Sequence, residues 1–234
     1  MIAIEVACNG YQSALNAFTG GAHRIELFEN ISEGGCTPSA GMIHLVNQLP
    51  LPVFVMIRPR GGDFCYTSIE IDMMLHDIEI CKLAKVAGIV FGCLNKSGEV
   101  DKSINQLLLN AWGGKATFHR AIDRSSNIIN AAHAVADLGF ERILSSGGAQ
   151  NVSDGLVKLK QMQDDIGHLI DIMPGAGVTA SNAKQIIKYT NCNALHSTCK
   201  ITQASNQGVM NSLFNETVQI TGVEAVRALV ASVL

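Results

Sequence analysis

Residues 53–66 read V-F-V-M-I-R-P-R-G-G-D-F-C-Y, an apolar run that passes directly into a charged, glycine-rich loop. The apolar part favours a buried strand. A proline fixes one backbone angle of the loop, and paired glycines can adopt angles closed to other residues. Arg58, Arg60 and Asp63 would need partners or water there. In α/β proteins, shaped loops at the C-terminal ends of strands carry the functional sites.

The same succession of strand, loop and helix repeats along the chain. Strand-like runs at 2–8, 24–28, 53–58, 89–94, 116–121, 142–146, 170–174 and 194–197 alternate with helical patterns at 11–20, 39–49, 69–87, 102–112, 126–138, 152–166, 180–190 and 223–234. Eight units in 234 residues predict one (β/α)₈ TIM-type barrel domain spanning residues 1–234. A doubly wound open sheet is the alternative, but no strand leads into G-x-G-x-x-G. Residues 199–221 are polar and poorly periodic, which predicts an irregular last unit.

Composition excludes several classes of protein. The net charge of −3 gives no basic face for nucleic acid. No apolar run approaches the ~20 residues that span a bilayer, and the first residues are typical of a strand rather than of a signal peptide. We therefore expect a cytoplasmic protein that does not act on membranes. Its seven cysteines, an odd number without C-x-x-C spacing, are interpreted as reduced thiols.

Alternation along the strands places charge on one face of the sheet. Glu5, Glu26, Arg58 and His119 share the face that would point into the barrel. Buried acids are costly unless paired, so Arg58 is the predicted counter-ion. These four residues are the candidate catalytic set. The alternative is a structural ion-pair cluster without chemistry.

Glycine-rich loops follow the later strands. S-S-G-G lies at 145–148 and P-G-A-G-V at 174–178, and such loops can present backbone N–H groups to a phosphate. The candidate anion-binding residues are Arg60, Arg120, Ser146, Gly147, Gly175 and Gly177. Tight turns that allow close packing are the competing explanation.

Thiol and imidazole groups provide a further set of candidates. Cys36, Cys65, His119 and His196 are the candidate metal ligands, and thiolates favour Cu(I). No spacing forces any two of them together.

These motifs resemble the copper homeostasis protein CutC family. The resemblance runs from residue 5 to about residue 196 through I-E-V, R-I-E-L, E-G-G-C-T-P-S, M-I-R-P-R-G-G-D-F-C-Y, G-I-V-F-G, T-F-H-R-A-I-D, R-I-L-S-S-G, I-M-P-G-A-G-V and A-L-H-S, in that order. It implies a (β/α)₈ barrel in the cytoplasm, a role in copper homeostasis with copper as ligand, and a homo-oligomer. It also implies a shared polar set, namely Glu5, Glu26, Arg58, Arg60, Asp63, His119, Arg120, Asp123 and His196.

One departure from the family pattern concerns copper. Some relatives carry cysteines two residues after the first-strand and the second-strand glutamates, and these are candidate Cu(I) ligands. This chain has Ala7 and Phe28 at those positions.

Three functions therefore remain open. The first is a copper-binding protein of copper homeostasis. The second is a barrel enzyme acting on a small anionic or phosphorylated metabolite through Glu5, Glu26, Arg58 and His119, with His119 moving a proton. The third is an inert barrel whose surface binds partners.

Overall fold

The computed structural model describes residues 2–204 and 217–234. Eight parallel strands form one sheet: β1 (Ala3–Cys8), β2 (Arg24–Leu27), β3 (Val53–Met56), β4 (Gly88–Phe91), β5 (Ala116–Phe118), β6 (Arg142–Ser145), β7 (Asp171–Pro174) and β8 (Ala194–Ser197). Each strand pairs with its sequence neighbour, β1 pairs with both β2 and β8, and β7 lies beside β8. The sheet thus curls into a nearly closed barrel, which confirms the predicted fold and excludes the open sheet.

Helices cover the outside of this barrel. They are α1 (Tyr11–Thr19), α2 (Ala40–Val46), α3 (Ser68–Ala84), α4 (Lys102–Trp112), α5 (Ile128–Leu138), α6 (Leu156–Ile166), α7 (Ala183–Thr190) and α8 (Val223–Ala231), with short 3₁₀ turns at Ile31–Glu33 and Arg120–Arg124. The described residues contain no helix that is both long and apolar enough to cross a membrane.

Strand alternation separates two environments. The residues of one strand face pack with the helices into a large apolar core, of which Ile4, Val6 and Ile25 are fully buried members. The other face points into the lumen, where the buried apolar residues form two small clusters. The first consists of Ala7, Phe28, Phe54, Met56 and Val90, and the second of Leu144, Met173 and Ala194. The space between these groups is left to polar side chains.

The loop after β3 is fastened to the helix that follows it. Thr67 and Glu70 form a capping box at the start of α3. Arg60 Nε lies 2.5 Å from Glu70 Oε1, and the same guanidinium contacts Asp63 Oδ1 at 3.1 Å and the Cys65 carbonyl at 3.1 Å. This charged loop is therefore held by its own arginine.

The irregular last unit contains a β-hairpin. After β8 the chain forms β9 (Lys200–Ala204), which pairs antiparallel with β10 (Thr217–Thr221). The hairpin is attached to the first unit of the barrel, because Asn9 donates to the Gln219 carbonyl at 2.9 Å and Asn16 to the Thr221 carbonyl at 2.8 Å. The middle of the predicted irregular segment, 205–216, lies outside the described residues.

Candidate functional site

Three buried side chains from adjacent strands meet in the lumen. Glu5 comes from β1, Glu26 from β2 and His196 from β8. His196 Nδ1 lies 2.7 Å from Glu5 Oε1, and His196 Nε2 lies 3.7 Å from Glu26 Oε2. The glutamates are only 1% and 3% exposed, so this is a carboxylate–imidazole–carboxylate cluster shielded from bulk water.

The counter-ion of Glu5 is Arg24, and the prediction of Arg58 for that role is wrong. Parallel pairing sets Arg24 beside Glu5, and Arg24 Nε lies 2.5 Å from Glu5 Oε2. The same guanidinium stacks over the Phe54 ring, 4.4 Å from its centroid. Arg24 is thus a site residue that was missed at the sequence level, although alternation puts it on the same strand face as Glu26.

The pKa values of the two glutamates are shifted in opposite directions. Burial opposes ionisation of Glu5, but the Arg24 charge and the hydrogen bond with His196 outweigh it and hold the pKa of Glu5 below its ordinary value. Burial raises the pKa of Glu26 to about 7, since His196 offsets only part of the effect. Burial also disfavours the imidazolium of His196, yet Glu26 and Glu5 together raise the pKa of His196. Glu5 is therefore held as an anion, whereas Glu26 can gain and lose its proton near neutrality.

The cluster lies below a cavity of about 540 Å³ at the C-terminal end of the strands. Glu26 and His196 line it, together with Arg58 and His119. Glu26 Oε1 is buried and has no hydrogen-bond partner among the residues that the structure describes. We call this space the mouth cavity. It brings together three of the four predicted catalytic residues, whereas Glu5 lies behind them.

His119 lies at the end of β5 in a fixed tautomer. Its Nδ1 accepts a hydrogen bond from the Ala121 backbone N–H at 3.2 Å, so the ring proton of the neutral form is on Nε2. Burial and the charge of Arg58 lower the pKa of His119 to about 3. The imidazole is therefore neutral at physiological pH, and Nε2–H is its one donor.

Arg58 connects two loops instead of pairing with an acid. Its Nη1 donates to the carbonyls of Glu33 and Gly35, both at 2.7 Å, and its Nη2 donates to the carbonyl of Gly62 at 3.1 Å. The backbone of Arg58 also exchanges two hydrogen bonds with Thr37. The guanidinium thus fixes the loop after β2 against the loop after β3.

The donors predicted for an anion after β6 are already engaged by an internal carboxylate. Asp123 accepts from the backbone N–H of Ser146 at 3.0 Å and from that of Gly148 at 3.0 Å. It also accepts from Ser145 Oγ at 2.6 Å and pairs with Arg120 Nε at 2.8 Å. A phosphate would have to displace Asp123 from this loop.

The glycines of these loops serve packing. A Cβ on Gly147 would lie 2.2 Å from the Gly155 carbonyl oxygen, and one on Gly175 would lie 2.5 Å from the Leu144 side chain. Gly177 and Ala176 have φ of 86° and 73°, in the left-handed region, and both line the mouth cavity. Arg60 is committed to its own loop, as described above. Close packing is thus the better explanation for Gly147 and Gly175.

The four predicted metal ligands do not come together. Within residues 2–204 and 217–234, the one group of three or more metal-ligating side chains is Glu5, Glu26 and His196, whose ligand atoms lie within 4.8 Å of one another. Cys36 and Cys65 are outside this group, as is His119. Of the four predicted ligands, the described structure places His196 in this group, and a metal site at Cys36, Cys65 and His119 stays a prediction.

The positions of the candidate family thiols lie in the lumen as predicted. Ala7 and Phe28 are both buried and line the mouth cavity, so neither supplies sulfur. Cys8 lies on the opposite face of β1, in the apolar core, where burial raises the pKa of its thiol. Cys199 lines the cavity, but burial raises the pKa of its thiol too.

A model of the CutC family matches residues 2–201. The chain belongs to the CutC family. The match includes every lumen residue described above and ends within the hairpin. The resemblance stated from the motifs is thereby confirmed.

Relatives span bacteria and mammals. A CutC family protein of Aliivibrio fischeri is 44% identical over 208 residues, covering 87% of this chain and 84% of the relative. The human copper homeostasis protein cutC homolog is 40% identical over 211 residues, covering 89% of this chain and 77% of the relative.

Solved structures agree on the fold. CutC from Streptococcus agalactiae superposes with a TM-score of 0.81 at 31% identity, covering 85% of this chain and 99% of that one. Thiamine phosphate pyrophosphorylase from Pyrococcus furiosus superposes with a TM-score of 0.61 at 13% identity, over 99% of this chain and 95% of that one. The second likeness concerns the barrel alone.

Proposed function

We propose that this CutC-family protein binds a small organic molecule in the mouth cavity and exchanges a proton with it through Glu26. The observation that carries this proposal is the placement of the Glu26 carboxyl. It is almost fully buried, its Oε1 lacks a partner among the described residues, and it lines a cavity large enough for a metabolite. A carboxyl whose pKa is near 7 can both accept and return a proton at physiological pH.

The neighbouring residues support this role of Glu26. Glu5 and Arg24 form a buried ion pair, and Glu5 accepts the hydrogen bond that orients His196. The opposite ring nitrogen of His196 faces Glu26 Oε2. Such a chain holds one carboxyl oxygen toward the imidazole and leaves the other for a ligand.

The test is solvent-proton exchange into a metabolite pool. The purified protein is incubated in D₂O with small carbonyl compounds and hydroxy acids, and deuterium incorporation is followed by NMR. We expect exchange that Glu26→Gln abolishes. Glu224→Gln, the same chemical change on an exposed residue of α8, serves as the matched control. Exchange that survives in Glu26→Gln contradicts the proposal.

A second candidate is copper binding. The names of the human and mouse relatives state copper homeostasis, and a bound copper ion would be one way to serve it. The cluster of Glu5, Glu26 and His196 offers only oxygen and nitrogen donors, which suit Cu(II) better than Cu(I). Glu5 is already neutralised by Arg24, whose positive charge opposes a cation at the same place. The residues present therefore do not fit Cu(I), and we place this candidate second.

Metal analysis and chelator competition separate the two candidates. Copper retained through purification, and lost in Glu26→Gln but not in Glu224→Gln, would reverse our order. A cytoplasmic location and self-association, both expected from the resemblance, remain proposals that fractionation and light scattering can test.

A further inference from the structure

The mouth cavity contains two buried N–H donors without partners in the described part of the chain. One is His119 Nε2 and the other is Arg58 Nε. Both residues are about 96% buried, at 4% exposure each, and both line the cavity. Buried polar groups of folded proteins are nearly always hydrogen-bonded, so two unpaired donors in one cavity indicate a ligand.

The remaining contacts of these residues fix where the two donors point. The Ala121 amide holds His119 Nδ1, which leaves only Nε2–H free. Three loop carbonyls take three of the four Nη hydrogens of Arg58, which leaves Nε–H and one hydrogen on Nη2. Both side chains line the cavity, and each keeps a buried N–H whose direction is fixed by its other contacts.

Phe64 contacts both residues. Its ring centroid is 4.9 Å from the His119 ring centroid and 4.9 Å from Arg58 Cζ. The ring also excludes water from one side of the pair, and a dry environment strengthens hydrogen bonds to charge. A neutral imidazole beside a permanent cation favours an oxygen that carries or develops negative charge.

The rest of the cavity limits the ligand. Its apolar lining includes Phe28, Ile31, Met56, Leu144 and Val178. The amides of the loop after β6 are occupied by Asp123 and are not open to a phosphate. A compact apolar body fits the apolar part of this lining.

We propose that His119 Nε2–H and Arg58 Nε–H form a donor pair for the carbonyl oxygen of an enolisable, non-phosphorylated metabolite. This inference rests on the proposed role of Glu26. Glu26 removes a proton from the carbon next to the carbonyl, and the C–H electron pair becomes the C=C bond of an enolate. The carbonyl π pair moves to the oxygen, where the two donors stabilise it, and return of the proton from Glu26 completes the cycle. No oxidant or metal is required.

The experiment uses the full chain and 4-methyl-2-oxopentanoate, a 2-oxo acid with an apolar body. Binding is followed by the ¹⁵N–¹H signal of His119 Nε2, and proton exchange at C3 by ¹H NMR in D₂O. We expect the His119 signal to move downfield and His119→Phe, which keeps a ring against Phe64, to weaken binding about tenfold, as for one lost charge-assisted hydrogen bond. His119→Gln, which restores an N–H donor, should recover part of this loss. Arg58 is not substituted, because it also connects two loops.

The outcomes separate this inference from the proposed function. Binding that moves the His119 signal without exchange above the Glu26→Gln background supports the donor pair and contradicts proton transfer. Exchange that requires Glu26 but is unchanged in His119→Phe retains the proton transfer and overturns the donor pair. Absence of both binding and exchange overturns the inference for this class of ligand.

Discussion

Two polar clusters lie toward the same end of the barrel, and they differ in how completely their hydrogen bonds are made. Around Asp123, after β5, the carboxylate oxygens meet backbone amides, two serine hydroxyls and an arginine. In the mouth cavity, Glu26 Oε1, His119 Nε2 and Arg58 Nε have no partner among the residues that the structure describes. In the first cluster the hydrogen bonds of the carboxylate are made within the protein, which suits a structural role. In the second cluster three polar atoms lack the partners that a ligand would supply.

We expect the largest effect on the free energy of unfolding from a substitution of Asp123. Asp123→Ala leaves the Ser146 and Gly148 amides and the Arg120 charge without their acceptor. We expect the free energy of unfolding to fall by about 4 kcal/mol, because buried Ser145 and Ser146 lose a charged acceptor, whereas the partly exposed Arg120 loses little. Urea denaturation followed by circular dichroism measures it. A loss below that of an ordinary surface substitution would show that the Asp123 cluster does not have a structural role.

Arg24 should have the next largest effect. Arg24→Met removes the charge that neutralises Glu5 while keeping an apolar body near Phe54. We expect a loss of about 3 kcal/mol in unfolding free energy, because Glu5 retains only His196 as partner. The double variant Arg24→Met/Glu5→Gln should recover part of this loss, since it removes the unpaired charge. A double variant less stable than Arg24→Met would contradict the pairing.

The titration of Glu26 gives a smaller effect with a defined sign. The folded carboxyl keeps its proton up to a pKa of about 7, whereas the ordinary value is 4.5. The folded state therefore binds more protons between pH 4.5 and 7, and its stability falls as pH rises through this window. Glu26→Gln cannot titrate, so its stability relative to the wild type should improve by roughly 2 kcal/mol across the window.

Other charged groups near Glu26 also contribute to the pH dependence of stability. His196, whose pKa is also raised, and Glu5 with Arg24 face the same carboxyl. The comparison is therefore made between wild type and variant at each pH, in which the shared contributions largely cancel. A stability difference that is flat between pH 4.5 and 7 would contradict the burial of an ionisable Glu26.

The smallest expected effect concerns the loop thiols. The double variant Cys36→Ser/Cys65→Ser should leave both copper retention and the His119 signal unchanged, because neither cysteine belongs to the lumen cluster. Competition with a Cu(I) chelator measures the first. Loss of copper in this variant, with no loss in Glu26→Gln, would place the metal in the loops and would contradict the mouth cavity as the ligand site.

The repeat of eight strand–helix units predicted the barrel, and strand alternation predicted several of its inward residues. Glu5, Glu26 and His119 were predicted correctly because successive side chains of a strand point to opposite faces, so the facing residues follow from the sequence alone. Arg24 lay on the same predicted face but could not be assigned to Glu5, since the pairing depends on the register between β1 and β2. Arg58 was wrongly assigned as counter-ion because its partners are loop carbonyls that leave no sequence signal.

The anion loops show a second limit of sequence patterns. S-S-G-G reads equally well as a phosphate loop and as a tight turn. The two differ only in whether a residue such as Asp123, 22 positions from Ser145, folds back onto the amides. Chemistry of this kind depends on three-dimensional contacts that no local spacing specifies.

The attachment of the hairpin and of β8 to the first βα unit has a consequence for biosynthesis. Glu5 and His196 are 191 positions apart, and Asn9 and Gln219 are 210 apart. Loop closure of that length makes the union of β8 with β1 a late event in folding. A chain emerging from the ribosome can fold its early βα units, but it acquires the imidazole that faces Glu26 only after the seven preceding units have been translated.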